Sequence, residues 1–264
     1  MKKLYITFSG SLYEDTTSII VENGINAGAD EVKVYDDKWL LKQPFYYQNK
    51  WLWDHPHKRG FGWYCWKPFI IYHALQDLQD GDIVLFTDAD CYPIGNLNVL
   101  FDQCNKDGGI MLFAACGQKH IHWCKKDCYI VMGQDNEKYY DVQAGVARFM
   151  LFQKGKWRAT QFLMEWLTYC VNPLATTFDK SVLAEEPVEF VEHRTEQAIM
   201  TNLAHKYGLK LYREACQAGN NYKNDKELYE QLFIQYNPTD VPGDAKVTLE
   251  PIGSKYANVN CVMQ

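Results

Sequence analysis

Gly81-Asp82-Ile83-Val84-Leu85-Phe86-Thr87-Asp88-Ala89-Asp90-Cys91-Tyr92-Pro93 carries a short apolar run into two carboxylates one residue apart. Ile83 to Phe86 has the length of a buried strand, and Gly81 and Pro93 punctuate its ends. Residues i and i+2 of a strand point to the same side, so Asp88 and Asp90 are expected together at the carboxyl end of a central strand. Open α/β sheets bind ligands at that edge. Two like charges about 4 Å apart repel by roughly 1 kcal/mol in water and about 4 kcal/mol at a near-surface dielectric. A divalent cation relieves that repulsion, and oxygen ligands of this type suit Mg²⁺ or Mn²⁺. The plain alternative is a strand-end turn with two solvated aspartates, and a bare Asp-x-Asp does not exclude it.

The segments on either side place this strand in a βαβ context. Residues 3–9 alternate and are β-rich, residues 14–26 form a helix closed by Gly28, and Glu31 to Tyr35 form a second strand. Residues 36–62 are predicted irregular, a length of loop that is usually functional or mobile. Trp63 to Gln79 reads as a helix with Pro68 in its first turn and Ile71, Ala74, Leu75 and Leu78 at helical spacing; His73 falls off that stripe and is expected to be exposed. Downstream, Ile110 to Ala114 and Gly145 to Phe152 are predicted strands. Residues 156–170 are a helix with Leu163, Trp166, Leu167 and Cys170 on one face. Thr195 is placed to cap a helix over Glu196 to Tyr207, stopped by Gly208. Leu209 to Arg213 reads as a late strand and residues 224–236 as a last helix. The domain is thus expected over 1–236, with 237–264 a tail that packs on it or is partly mobile.

Composition narrows the class. A length of 264 residues suits one large domain, and a 47% hydrophobic fraction supports a full core. A net charge of −6 argues against a nucleic-acid partner, which asks for a basic face. No stretch reaches the roughly 18 consecutive apolar residues of a membrane span. Lys2 and Lys3 are followed by no apolar core of a signal peptide. Nine scattered cysteines give no disulfide framework, so a reduced, cytoplasmic setting is expected. Oligomeric state leaves no mark in the sequence.

Four constellations carry candidate chemistry. Asp88 and Asp90 with Arg59 and Lys67 combine a cation site with two bases, the equipment for a diphosphate leaving group. Arg59 sits beside glycines that permit close backbone approach, and Lys67 begins a helix whose dipole favours anions. Gln143-Ala144-Gly145 precedes a strand and suits a ligand-facing turn, or an ordinary tight one. Glu192-His193-Arg194-Thr195-Glu196-Gln197 crowds acid, imidazole and base into one helix start. There His193 offers a polar contact and Glu196 a hold on a substrate hydroxyl; simple helix capping explains the same residues. His120-Ile121-His122-Trp123-Cys124-Lys125-Lys126-Asp127-Cys128 matches no common zinc spacing and reads as a loop with buried cysteines.

In order, Arg59-Gly60-Phe61-Gly62-Trp63-Tyr64-Cys65-Trp66-Lys67-Pro68, the strand into Asp88-Ala89-Asp90, Cys128-Tyr129-Ile130-Val131-Met132-Gly133, Gln143-Ala144-Gly145 and Glu192-His193-Arg194-Thr195-Glu196-Gln197 resemble the blocks of the A-type (GT-A, Rossmann-like) glycosyltransferases. The chain is similar to bacterial and viral relatives of the retaining galactosyl- and glucosyltransferases over about residues 3 to 213. The resemblance implies an α/β fold, a single domain with a mostly parallel central sheet flanked by helices. It implies hexose transfer, with retention, from a nucleotide sugar (a UDP-sugar foremost) to a hydroxyl of a glycan or other acceptor. Mn²⁺ or Mg²⁺ would bridge the diphosphate to Asp88 and Asp90, with Ala89 between them. Thr7 and Ser9, Arg59 and Lys67 would face the donor. Gln143, Ala144, Gly145, His193 and Glu196 would line the acceptor side, with Glu196, Gln197 and Gln143 closest to the chemistry. If transfer is retaining, a donor phosphate oxygen takes the acceptor proton; if inverting, Glu196 is the base. The chain departs from the pattern at Gln143, where Asn is usual, and at Glu196, where Asp is usual. No histidine follows His205, so the third metal ligand is open among Asp240, Asp244 and water. Two other functions fit less of the sequence: a carbohydrate- or nucleotide-sugar-binding protein without catalysis, and an Asp-x-Asp phosphatase, against which Tyr92 and the mid-chain position of the motif both speak.

Overall fold

The computed structural model describes residues 1–10, 14–54, 60–222 and 228–235, with the side chains of 14–16 left aside. Arg59, Asp240, Asp244 and the tail 237–264 lie outside the described residues.

The chain opens as β1 (Lys3–Phe8), α1 (Glu14–Asn26) and β2 (Glu31–Tyr35). Three short helices follow: α2 (Asp37–Leu40), α3 (Pro44–Gln48) and α4 (Trp51–Asp54). A 3₁₀ turn (Phe61–Tyr64) leads into α5 (Trp66–Gln76), then β3 (Ile83–Asp88), β4 (Cys91–Pro93) and α6 (Asn98–Lys106). The second half holds β5 (Ile110–Lys119), α7 (Lys126–Val131), α8 (Glu137–Tyr140), β6 (Gln143–Gln153), α9 (Trp157–Cys170), α10 (Pro173–Thr176), α11 (Thr195–Lys206), β7 (Leu211–Tyr212) and β8 (Phe233–Gln235).

Among the described residues the main sheet has the order β2-β1-β3-β6-β5-β7. β1 runs parallel to β2 and β3, and β7 runs parallel to β5. β6 is antiparallel to both of its neighbours, so it alone is reversed. β1 and β3 are buried on both faces, which is why Ile83 to Phe86 is apolar throughout instead of alternating. Val84 and Phe86 pack on one side with α5, α9 and α11; Ile83 and Leu85 pack on the other with α6. On α9, Ala159, Phe162, Leu163, Trp166 and Cys170 form one buried stripe. Trp166 Nε1 donates to the Glu196 carbonyl at 2.8 Å, tying that stripe to the start of α11.

Several expectations change. Of residues 36–62, the described part is not an open loop, because α2 to α4 bury Leu40, Phe45 and Leu52, and Phe45 stacks on Phe69 of α5 at 4.6 Å. His73 is half-buried, edge-on to Trp39 at 4.8 Å and 3.3 Å from the Tyr35 hydroxyl. The predicted helix over Trp63 to Gln79 begins only at Trp66, since Gly62, Trp63 and Tyr64 all have φ near +60°. Thr195 is not a cap: its φ is +37°, and no side-chain cap bond closes this helix. Of the helix expected over 224–236, the described part, 228–235, has no helix and ends in β8, antiparallel to β4. Pairing with a strand some 140 residues away overrides a weak local helical pattern. Among the described residues, no helix is long and apolar enough to cross a membrane.

Candidate functional site

β3 ends at Asp88, Ala89 and Asp90 make a turn, and β4 leaves from Cys91. Ala89 is buried and small, which lets the turn close against the core. Asp88 therefore stands at the carboxyl edge of the sheet, beside the ends of β1 and β2.

Lys67 reaches Asp88 from α5. Its Nζ lies 2.8 Å from Asp88 Oδ1, 3.2 Å from Glu196 Oε1 and 3.0 Å from the Ala147 carbonyl. An ammonium has three protons to donate, and all three have acceptors here. Lys67 is 4% exposed and Glu196 likewise 4%, so this pair is buried, with the half-buried Asp88 on its open side. Both flanks are strained. The run of left-handed residues at Gly62, Trp63 and Tyr64 sets the start of α5, and Thr195 at positive φ sets Glu196. Non-glycine residues in that region cost about 1–3 kcal/mol each and mark places the surrounding packing over-determines.

The charges follow from burial. Desolvation pulls the Lys67 ammonium down, but Asp88 and Glu196 beside it outweigh that and hold it above the usual lysine range. One lysine does not satisfy every acid nearby. Burial pushes the Glu196 carboxyl up, opposed by Lys67 and by the Thr195 hydroxyl, which donates to Oε2 at 2.6 Å. Burial and the charge of Asp88 push the Asp90 carboxyl up. Among the described residues, Asp90 receives only the Gln235 amide at 3.2 Å and the Cys91 thiol at 3.3 Å. Arg148 lies close enough to draw the Asp90 carboxyl down; its Nη1 bonds Glu214 Oε2 at 3.0 Å. Among the described residues, Asp88, Asp90, Glu196 and Glu214 against Lys67 and Arg148 leave the cluster two formal charges negative.

That surplus is what a divalent cation would neutralise, and oxygen donors from Asp88 and Asp90 fit one. Among the described residues, no group of three His, Cys, Asp or Glu side chains could hold a metal by itself. The fit is to an ion completed by ligand oxygens and water. β8 brings the Gln235 amide to Asp90, in the neighbourhood where a late ligand was sought.

The other expected residues are placed as follows. Thr7 is buried on β1 and its hydroxyl donates to the Thr87 carbonyl at 2.9 Å. Ser9, at the end of β1, shares a hydrogen bond with the Thr17 hydroxyl at 2.8 Å. Gln143 Nε2 donates to the carbonyls of Ala115 and Gln118 at 2.6 and 2.9 Å, stitching the irregular end of β5. Ala144 is buried. Gly145 lets α11 approach: its N–H donates to Thr201 Oγ1 at 3.0 Å, and a Cβ there would sit 2.8 Å from Met200 Cε. Gln197 Oε1 accepts from the Ala147 N–H at 3.5 Å. His193 is buried, with Nδ1 accepting from the Lys125 N–H at 3.2 Å and Nε2 against the Ala175 carbonyl at 2.8 Å. It clasps α10 to the loop before α7. Lys67, Asp88 and Glu196 thus come together, while Gln143 Nε2 and both His193 nitrogens are spent on backbone, and Gln143 Oε1 accepts from the Tyr222 hydroxyl at 3.5 Å.

Arg148, Glu214 and Gln235 were not singled out by the sequence reading. For Arg148 a signal existed, a cation inside an otherwise apolar strand. For Gln235 the signal was the β-favouring pair Phe233-Ile234.

His193 and His120 carry a further consequence. Burial, aided by the charge of Lys125, lowers His193 to about 3, and burial lowers His120 to about 3. In the unfolded chain each imidazole takes up a proton near pH 6.5; in the native state neither does until about 3. Stability is therefore complete above 6.5 and falls as pH drops below it. At about 1.4 kcal/mol per pH unit per group, urea unfolding at pH 5.5 should show about 3 kcal/mol less stability than at pH 7.5. Equal stability at the two values would contradict the neutral burial of this pair.

No family model matches the chain, and no curated protein matches its sequence. Solved structures match its fold. Mouse xyloside xylosyltransferase 1, in its apo form, aligns with a TM-score of 0.51 over 92% of this chain and 100% of that one, at 8% identity. The apo bifunctional glycosyltransferase WbbM aligns with a TM-score of 0.52 over 89% of this chain and 45% of that chain, at 11% identity. The chain has the GT-A glycosyltransferase fold. At such low identity the likeness establishes the fold, and the chemistry is argued from this chain's own side chains.

Proposed function

We propose that this protein is a divalent-metal-dependent glycosyltransferase that moves a hexose from a nucleotide-diphosphate sugar, a UDP-sugar foremost, to an acceptor hydroxyl of a glycan or similar molecule. The observation that carries the reading is the two-unit negative surplus at the carboxyl edge of a glycosyltransferase fold, built from Asp88, Asp90, Glu196 and Glu214 around Lys67 and Arg148. Asp88 and Asp90 would hold the metal, which when bound supplies Lewis-acid stabilisation of the departing diphosphate. Lys67 holds Asp88 and Glu196 in fixed geometry. Glu196 is buried beside that edge with a raised carboxyl, which suits a group that accepts a proton. Retention is the expected stereochemistry, with a donor phosphate oxygen taking the acceptor proton; Glu196 takes that part if the product is inverted.

Turnover tests this directly. Wild-type protein with Mn²⁺ should release nucleoside diphosphate from one member of a nucleotide-sugar panel, slowly to water and faster once an acceptor sugar is supplied. Chelation should stop it. The engagement of Gln143 Nε2 and both His193 nitrogens by backbone groups favours a second reading, a nucleotide-sugar-binding protein without catalysis. Tight donor binding with no cleavage under any metal or acceptor would select that one.

A further inference from the structure

Lys67 has no proton left to give to a phosphate, so the donor's charge needs another base. β6 supplies a candidate through a break in its register. Leu112 of β5 pairs with Met150, but the next residue, Phe113, pairs with Val146. Ala147, Arg148 and Phe149 therefore bulge on the β5 side, while Phe149 still pairs with Thr87 of β3. Bulges re-aim side chains and occur beside active sites. Here the bulge is gripped from α5 and α11, with the Ala147 carbonyl accepting from Lys67 and its N–H donating to Gln197. It also breaks the alternation of β6: Ala147 packs on the layer with α5, α9 and α11, and Val146 and Phe149 pack on the opposite one. Arg148 leaves the strand towards Glu214 and Cys216, on the side where β4 and β8 carry Asp90 and Gln235. Among the described residues only its Nη1 is engaged, and the side chain is 23% exposed.

We propose that Arg148 binds the diphosphate of the donor, the part the sequence suggested for Lys67 together with Arg59, which lies outside the described residues. This inference rests on the nucleotide-sugar reading above. A guanidinium fits it because its fork matches two phosphate oxygens at once and cannot lose its charge. Nη1 is held by Glu214, Nε and Nη2 are its remaining donors, and the group is near enough to act on the charges of Asp88 and Asp90. The alternative is that Arg148 serves only to neutralise buried Glu214.

The two are separated by titrating wild type with Mn²⁺ and the diphosphates of uridine, guanosine, adenosine and cytidine, then with the parent nucleoside of the best binder. Removing Arg148 alone strands Glu214, so the decisive variant is the pair Arg148→Met with Glu214→Gln, alongside Arg148→Lys and Glu214→Gln alone. Loss of a charge-assisted phosphate contact should weaken diphosphate binding about tenfold to a hundredfold in the double variant, and leave nucleoside binding within about twofold. Arg148→Lys should recover only part of it, because the ammonium lacks the fork; Glu214→Gln should retain it. A folded double variant that keeps the wild-type ratio of diphosphate to nucleoside affinity overturns the role of Arg148 and leaves the donor reading standing. A wild type that binds none of the four diphosphates overturns both.

Discussion

Replacing Lys67 by methionine is expected to lower stability by about 3–5 kcal/mol, the loss seen when one partner of a buried ion pair is removed. The substitution keeps the length and most of the volume of the side chain, so the loss reports charge rather than a cavity. Asp88 and Glu196 would then face each other without their shared cation, and the Ala147 carbonyl at the bulge of β6 would lose its donor. In a chain of this size that corresponds to a fall in Tm of roughly 10 °C. Adding Glu196→Gln should return part of it, since one of the two stranded charges is gone. If Lys67 instead touched only the donor, Lys67→Met would be as stable as wild type and only the donor KM would rise. Urea unfolding of the three proteins decides between these outcomes.

The second large effect is expected at Asp90. Asp90→Ala should reduce metal-dependent turnover by about a thousandfold or more, roughly 4 kcal/mol of transition-state stabilisation. Stability should be unchanged or slightly higher. Asp90 is half-buried with its carboxyl pushed up by burial and by Asp88, and among the described residues it holds only an amide and a thiol. Removing it relieves a strained charge, the trade of stability for activity expected at a working site. A well-folded Asp90→Ala protein with wild-type turnover is incompatible with a metal held by the Asp-x-Asp turn.

What the sequence disclosed and what it hid follow from the range of the forces involved. The strand into Asp88, the βαβ opening and most of the stripe on α9 are set by local apolar periodicity, and they stand where it placed them, with Leu167 only partly buried. The site is non-local. Lys67 meets Glu196 across 129 positions and Asp90 meets Gln235 across 145, and no local pattern encodes either contact. Arg148 shows the difference most clearly. Its residue type was visible inside an apolar strand, but its direction depends on a three-residue slip between β5 and β6 that periodicity does not register. His193 is the converse case: its neighbours resembled a functional block, and in the fold both its nitrogens hold backbone. Gly145 sits between the two, a glycine whose need lies in the close approach of α11.

The most direct test of the central claim is a thermal-shift panel of nucleotide sugars, each with and without Mn²⁺. A ligand that binds only the native state adds RT ln(1 + [L]/Kd), about 2.7 kcal/mol at a hundredfold excess over Kd. The expected result is a Mn²⁺-dependent rise with one nucleotide sugar, lost in Asp90→Ala. A well-folded wild type that shifts with no nucleotide sugar, with or without metal, would contradict a donor site at Asp88 and Asp90.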